Sequence, residues 1–251
     1  MQDKARRDQI REEQNLQDRE WLVQQMKREN PKILLRIGVC LDVFAILTIL
    51  LSMLFLNRFW ALCSIFCCVA SVYLAVKHPG YFSLVEDGKA RQERCGMDAF
   101  FLILPYWVPV NTAAIGFGMR YGFSGWGWVL VWAAVITAAV GVLLWFLIPE
   151  LRRRRQHMLL AFGLALFISF GAVFTVNYGF GSRQSEKTTA VVTETSPGGG
   201  KSSPSVTVKL PDGETVKIPV HYNQYLYYQA GGSTDVMCYK GSLGIAFFEI
   251  P

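Results

Sequence analysis

Five long apolar stretches, each bounded by polar or basic residues, organise the chain as far as residue 180, and a two-residue alternation takes over from about residue 188. The stretches are Ile33–Leu56, Phe59–Val76, Ala99–Met119, Trp128–Ile148 and Met158–Phe180, 18–24 residues each. At about 1.5 Å per residue, such a run reaches across the roughly 30 Å hydrocarbon core of a bilayer. Lipid offers no partner for a backbone N–H or C=O, so each run is expected to cross as a helix. The pattern predicts an α-helical polytopic membrane protein with five transmembrane helices. The third carries Pro105 and Pro109. Each ring removes a donor and crowds the preceding turn, so a kink is expected there.

Beyond Phe180 the period changes. Val206–Leu210 and Thr215–Val220 alternate apolar and polar residues around Pro211-Asp212-Gly213, a turn signal. Asp235–Tyr239, Leu243–Ile250 and Thr188–Thr195 read as further strands. The expectation is a small C-terminal all-β extracytoplasmic module, a barrel or sandwich. The organisation is then a charged N-terminal helix over 1–32, a membrane domain over 33–180, a Gly/Ser/Thr-rich segment and linker over 181–204, and the β module over 205–251 or from 188. The linker is expected to flex around Pro197–Lys201. Before the first apolar run, charged residues recur at helical spacing and end at Asn30-Pro31. Within the connection 77–97, Asp87-Gly88 reads as a hairpin turn or simple loop.

Charge sets the orientation. Lys and Arg are dense before the first run, between the second and third, and between the fourth and fifth, where Arg152, Arg153, Arg154 and Arg155 are consecutive. The first connection has only Arg58 and the third only Arg120. Loops rich in bases stay inside, which places the N-terminus in the cytoplasm and the C-terminal module outside. The net charge of +6 therefore does not point to nucleic acid. It points to the bilayer and its anionic headgroups, worth about 1 kcal/mol per basic residue at the surface. Arg152–Arg155 are the expected headgroup clamp. The first thirty residues are polar, so no cleavable leader is expected and the first run is read as a signal anchor. Short loops, a compact outer module and the lack of an Asn-x-Ser/Thr sequon fit a bacterial plasma membrane protein.

Candidate chemistry is sparse. Of six cysteines, four lie in apolar runs, Cys95 lies in an inner loop, and Cys238 is alone in the outer module, so no disulfide framework is expected. No His-Glu-x-x-His, phosphate loop or Ser/His/Asp set occurs. Neither metal nor cofactor is expected, and no enzymatic activity. Asp42 is the costly residue, a carboxylate inside the first run. It is either an ion or proton relay or binding contact, or a buried partner of Arg36 or of a polar group on another helix. Asn111, beside the two prolines, and Asn177 are candidate interhelical donors. Tyr222, Tyr225 and Tyr228 form an aromatic-rich segment of the outer module, suited to a binding surface, to core packing or to interface anchoring. Small residues four apart, Ala114/Gly118 and Ala134/Ala138, allow close helix packing, within the chain or with a second copy or a membrane partner. The expected function is a non-enzymatic membrane-anchored binding, sensing or scaffolding protein. The alternative is a small transporter or channel component using Asp42 and the third helix.

Overall fold

The computed structural model describes residues 2–26, 30–55, 58–96, 98–148, 151, 158–182, 184–199 and 203–251. The expected clamp Arg152–Arg155 lies outside the described residues. Helix α1 (Gln2–Met26) precedes α2 (Pro31–Leu54). The Asn30 side chain accepts from Lys32 N at 3.1 Å, and Pro31 occupies the first turn, where a missing donor costs nothing. Helices α3 (Arg58–Lys77), α4 (Gly88–Cys95), α5 (Ile103–Arg120), α6 (Trp126–Leu147), α7 (Met158–Gly179) and α8 (Tyr222–Tyr225) follow.

Four of these, α2, α3, α6 and α7, are long and apolar enough to cross a membrane. The third predicted run became α5, which is not among the four. It packs against α2, α3 and α7. That enclosure lets it carry Tyr106, Pro109 and Asn111 on surfaces that meet protein. The run was expected from Ala99 but the helix begins at Ile103. Pro105 is compatible with the first turn only, and the residues before it pair instead as a strand. Strand β2 (Phe100–Phe101) lies parallel to β1 (Phe82–Ser83), with Phe100 N donating to Tyr81 O at 2.7 Å. Pro109 is therefore the proline that interrupts the helix interior. Small buried residues, among them Ala45 and Ser52 on α2 and Ala61, Ser64 and Cys67 on α3, line the packed faces of those helices.

One core closes the end of the bundle that carries α1 and α4. Leu34, Leu74, Phe82, Leu102, Leu144 and Leu164 meet there. Asp87, expected in a turn, instead caps α4, accepting from Ala90 N at 2.7 Å. Arg91 on α4 is fully buried, and its Nη2 donates to Pro79 O at 2.7 Å. Leu22 of α1 is also fully buried, and Met26 lies against Gly80. The N-terminal helix is thus docked by its last turns on the connection 78–102.

The opposite end carries an antiparallel six-stranded sheet in the order β3-β8-β7-β4-β5-β6. The strands are β3 (Gly122–Phe123), β4 (Ser185–Ser196), β5 (Ser205–Lys209), β6 (Thr215–Pro219), β7 (Ser233–Lys240) and β8 (Ala246–Glu249). The expected alternation holds: Val206, Val208, Val216, Ile218 and Val236 fill its core with Phe248 and Ile250. Two features differ in extent from expectation. The strand read at Thr188–Thr195 is present and runs further, as β4 from Ser185 to Ser196, the longest strand, where Thr and Val residues favour extended backbone. Pro197–Gly199 therefore belong to the β4–β5 connection within the sheet. The second difference is β3, which comes from the connection between α5 and α6 and pairs with Phe247 and Phe248. Gly122 has no room for a side chain, since a Cβ would sit 2.7 Å from Lys217 O on β6. Its bareness brings the two outer strands together and nearly closes the sheet.

Candidate functional site

The junction between sheet and helices is held by a network of polar contacts built on Asn177. Asn177, in the last turn of α7, is 1 % exposed. Its Nδ2 donates to Ile245 O at 2.9 Å, and its Oδ1 accepts from Leu243 N at 3.0 Å. Ser242 N donates to Asn177 O at 3.0 Å, and Ser242 Oγ to Val176 O at 2.9 Å. Gly241 lies so close to the Asn177 amide that no Cβ fits. Trp132 of α6 adds a bond from Nε1 to Leu243 O at 3.1 Å. The β7–β8 connection is thus plugged into the ends of α6 and α7.

Two arginines clamp the same junction. Arg58 at the start of α3 donates from Nη1 to Gly181 O at 2.6 Å and from Nη2 to Ser182 O. Its guanidinium also lies over the Tyr178 ring, 5.7 Å from the centroid. Arg120 at the end of α5 donates from Nε to Glu249 Oε1 at 3.1 Å and lies over the Tyr121 ring. Glu249 Oε2 accepts from Tyr239 OH at 3.3 Å. Between the arginines Phe117, Tyr121, Tyr178, Tyr239 and Phe247 pack ring against ring, with Phe117 and Tyr178 centroids 3.9 Å apart. Burial comes first in pushing the Tyr121 and Tyr239 hydroxyls upward, followed by Tyr178 for Tyr121 and by Glu249 for Tyr239. They stay protonated, so Tyr239 remains a donor to the carboxylate.

Two clefts open beside this junction. One, of about 780 Å³, lies between Met53, Leu54, Gly116 and Met119 of the helices and Pro219, Tyr222 and Ile250 of the sheet side, with Arg120 and Glu249 in its wall. The other, of about 700 Å³, shares Met119, Ser203 and Pro219 with it and reaches Trp126, Phe174, Glu214 and Lys217.

The expected site residues do not converge. Asp42 lies on α2 at the border between the packed and outward faces. Its Oδ1 is buried, and neither oxygen has a hydrogen bond or ion pair among the described residues, so Arg36 is not its partner. Asn111 donates to Phe167 O on α7 at 2.8 Å and to Trp107 O at 2.9 Å. Neither residue lines the two clefts. Tyr222 is exposed at the cleft and touches Tyr225, with ring centroids 5.3 Å apart. Tyr228 packs on the sheet core, and the most exposed aromatic of the segment is Tyr227. Cys238 is free and packs on the same core, where burial raises its thiol pKa. Among the described residues no group of three or more His, Cys, Asp and Glu side chains can hold a metal ion.

Sequence reasoning placed Asn177 between helices, whereas its amide serves the sheet. It noted Arg58 and Arg120 only as exceptions in base-poor loops. That exceptionality was itself the signal, because a base retained where bases are otherwise absent has a local partner. Comparison with protein-family models, with characterised proteins and with solved structures finds no match to this chain.

Proposed function

We propose that this is a multi-pass protein of the bacterial cytoplasmic membrane, with five spans counting α5, the N-terminus inside, and the sheet outside as a non-enzymatic binding or sensing element. The carrying observation is the junction. The sheet takes a strand from the α5–α6 connection and is fixed to helix ends by Asn177, Arg58 and Arg120, which suits a rigid platform at the membrane surface. The clefts beneath the platform supply concave, mixed apolar and polar surface of the size that small ligands use. Labelling with a membrane-impermeant thiol reagent tests the arrangement, after replacing the native cysteines. Cysteine placed at exposed Ser203 should react from outside, and at exposed Lys89 only after permeabilisation. Ser124 is a poorer probe, being half-buried beside β8. Reaction of Ser203→Cys from the cytoplasmic side alone removes the outer platform and this reading with it.

One observation keeps the transport reading alive, the buried Asp42 Oδ1, which has no hydrogen-bond partner among the described residues. Reconstituted protein that passes protons or cations, and loses that flux in Asp42→Asn while inserting normally, would replace the binding reading.

A further inference from the structure

We infer that the 780 Å³ cleft is a phospholipid site selective for a headgroup carrying both a phosphodiester and an ammonium, of the phosphoethanolamine type. The inference rests on the reading of the helices as spanning and of the sheet as lying on the outer surface. The helix side of the cleft is apolar and outward-facing: Met53 is 60 %, Leu54 72 % and Met119 61 % exposed. These residues continue the flanks of α2 and α5 that face outward below them, such as Leu50 and Ile115. In a bilayer that continuity makes the lower part of the cleft an extension of the acyl-chain region, where a water-soluble ligand gains nothing. The upper part is polar, with Arg120, Glu249, Tyr222 and Gln224. A ligand filling both parts is an amphiphile. An added peptide strand is the poorer fit, because β3 packs against the outer strand β6 and blocks that edge.

The headgroup follows from the charges. Arg120 gives Nε to Glu249 Oε1, with Nη2 also 3.1 Å from that oxygen. Nη1 makes no hydrogen bond among the described residues, and the side chain is 51 % exposed. A guanidinium with donors to spare beside an apolar wall suits a phosphate diester. Glu249, its neighbour, repels a second negative charge and attracts an ammonium. An ammonium-bearing zwitterion thus meets a complementary pair, while a purely anionic headgroup meets one favourable and one unfavourable charge.

The test is native mass spectrometry of the full chain, extracted in mild detergent and offered equal amounts of phosphatidylethanolamine and phosphatidylglycerol. The wild type should retain one phosphatidylethanolamine in preference to phosphatidylglycerol. Arg120→Gln should lower retention of both lipids about tenfold, the loss of one charge-assisted hydrogen bond. Glu249→Gln should keep binding and abolish the preference. Met119→Trp, at an exposed position lining both clefts, should fill the apolar wall and lower retention without altering the melting temperature, which separates lipid loss from unfolding. Inorganic phosphate should leave the lipid in place. Retention of both lipids alike by every variant, displacement by phosphate, or no retained lipid would overturn the proposal. If the chain needs detergent and labels as expected but keeps no lipid, this proposal alone fails. If it stays in aqueous buffer without detergent, the membrane reading fails first.

Discussion

The two ends of the helical bundle use basic residues in opposite ways. At the end bearing α1 and α4, bases are many, and Arg6, Arg11, Arg19, Lys32, Arg36, Lys77 and Lys89 are all exposed to solvent. Arg91, fully buried and donating to Pro79 O, differs from them. At the end bearing the sheet, Arg58 and Arg120 are each engaged with named partners: two carbonyls and a Tyr178 face for one, a carboxylate and a Tyr121 face for the other. A count of bases therefore describes one end, and the residues that break the count mark the architecture at the other. The packing differs in the same sense. One end closes with a core dominated by leucines, the other with aromatic rings and an asparagine plug.

That contrast can be broken selectively. Asn177→Leu keeps the volume and leaves Leu243 N–H and Ile245 C=O unpaired. At about 1–3 kcal/mol for each orphaned buried group, the sheet end should lose about 3 kcal/mol. Amide exchange in β7 and β8 should quicken while α1 and α4 keep their protection; equal acceleration at both ends would mean that the ends are not independent. Leu22→Ala attacks the other end. It should cost about 2–3 kcal/mol, release α1 to protease and leave the sheet unchanged in exchange. Between the arginines the order should be unequal. Arg58→Gln should cost about 2 kcal/mol, because it abandons carbonyls at the α7 end. Arg120→Gln should cost about 0.5 kcal/mol, since its pair with Glu249 is half exposed and screened. Thermal melts of the two variants side by side give the ranking.

The smallest expected effect concerns pH. Asp235 accepts from Lys187, 2.8 Å away, and from Thr189, and the Lys187 bond holds its carboxyl below the ordinary value of 3.8. A carboxyl lowered in the folded state adds stability above its unfolded pKa and loses it as pH falls through the folded one. The sheet should therefore soften slightly below the ordinary aspartate range, and Asp235→Asn should flatten that slope. The side chain is about half exposed and lies on the sheet, so the bundle should show no matching change.

How much of this was legible in the sequence depends on the distance over which each element is specified. Val206–Leu210 and Thr215–Val220 carry their alternation within a few residues, and they form β5 and β6 to within a residue of the expected ends. The four apolar helices are likewise local statements of composition. Strand β3 is not. Two residues, Gly122 and Phe123, have no periodicity of their own and are extended because Phe247 and Phe248 lie beside them. The start of α5 and the α4 cap turned on single residues, Pro105 and Asp87, whose meaning depends on the turn they join. Of the candidate site residues, Tyr222 does reach a cleft. Asp42 and Asn111 do not, because position along a helix says little about which neighbour it faces.

The pairing of β3 with β8 has a consequence for how the molecule is made. Gly122 and Phe123 leave the ribosome long before Phe247 and Phe248, and the helices α6 and α7 are threaded in between. A contact so distant in sequence forms late. In a bilayer it forms only if the α5–α6 connection and the final strand have reached the same side. A chain whose α5–α6 pair inserts the wrong way leaves β8 with an unpaired edge and Phe247 without its Tyr121 contact, the kind of edge that invites aggregation. If the helices cross a bilayer as proposed, completion of the sheet would act as a proofreading step, because β3 and β8 can pair only when the helices made earlier have brought them to one side.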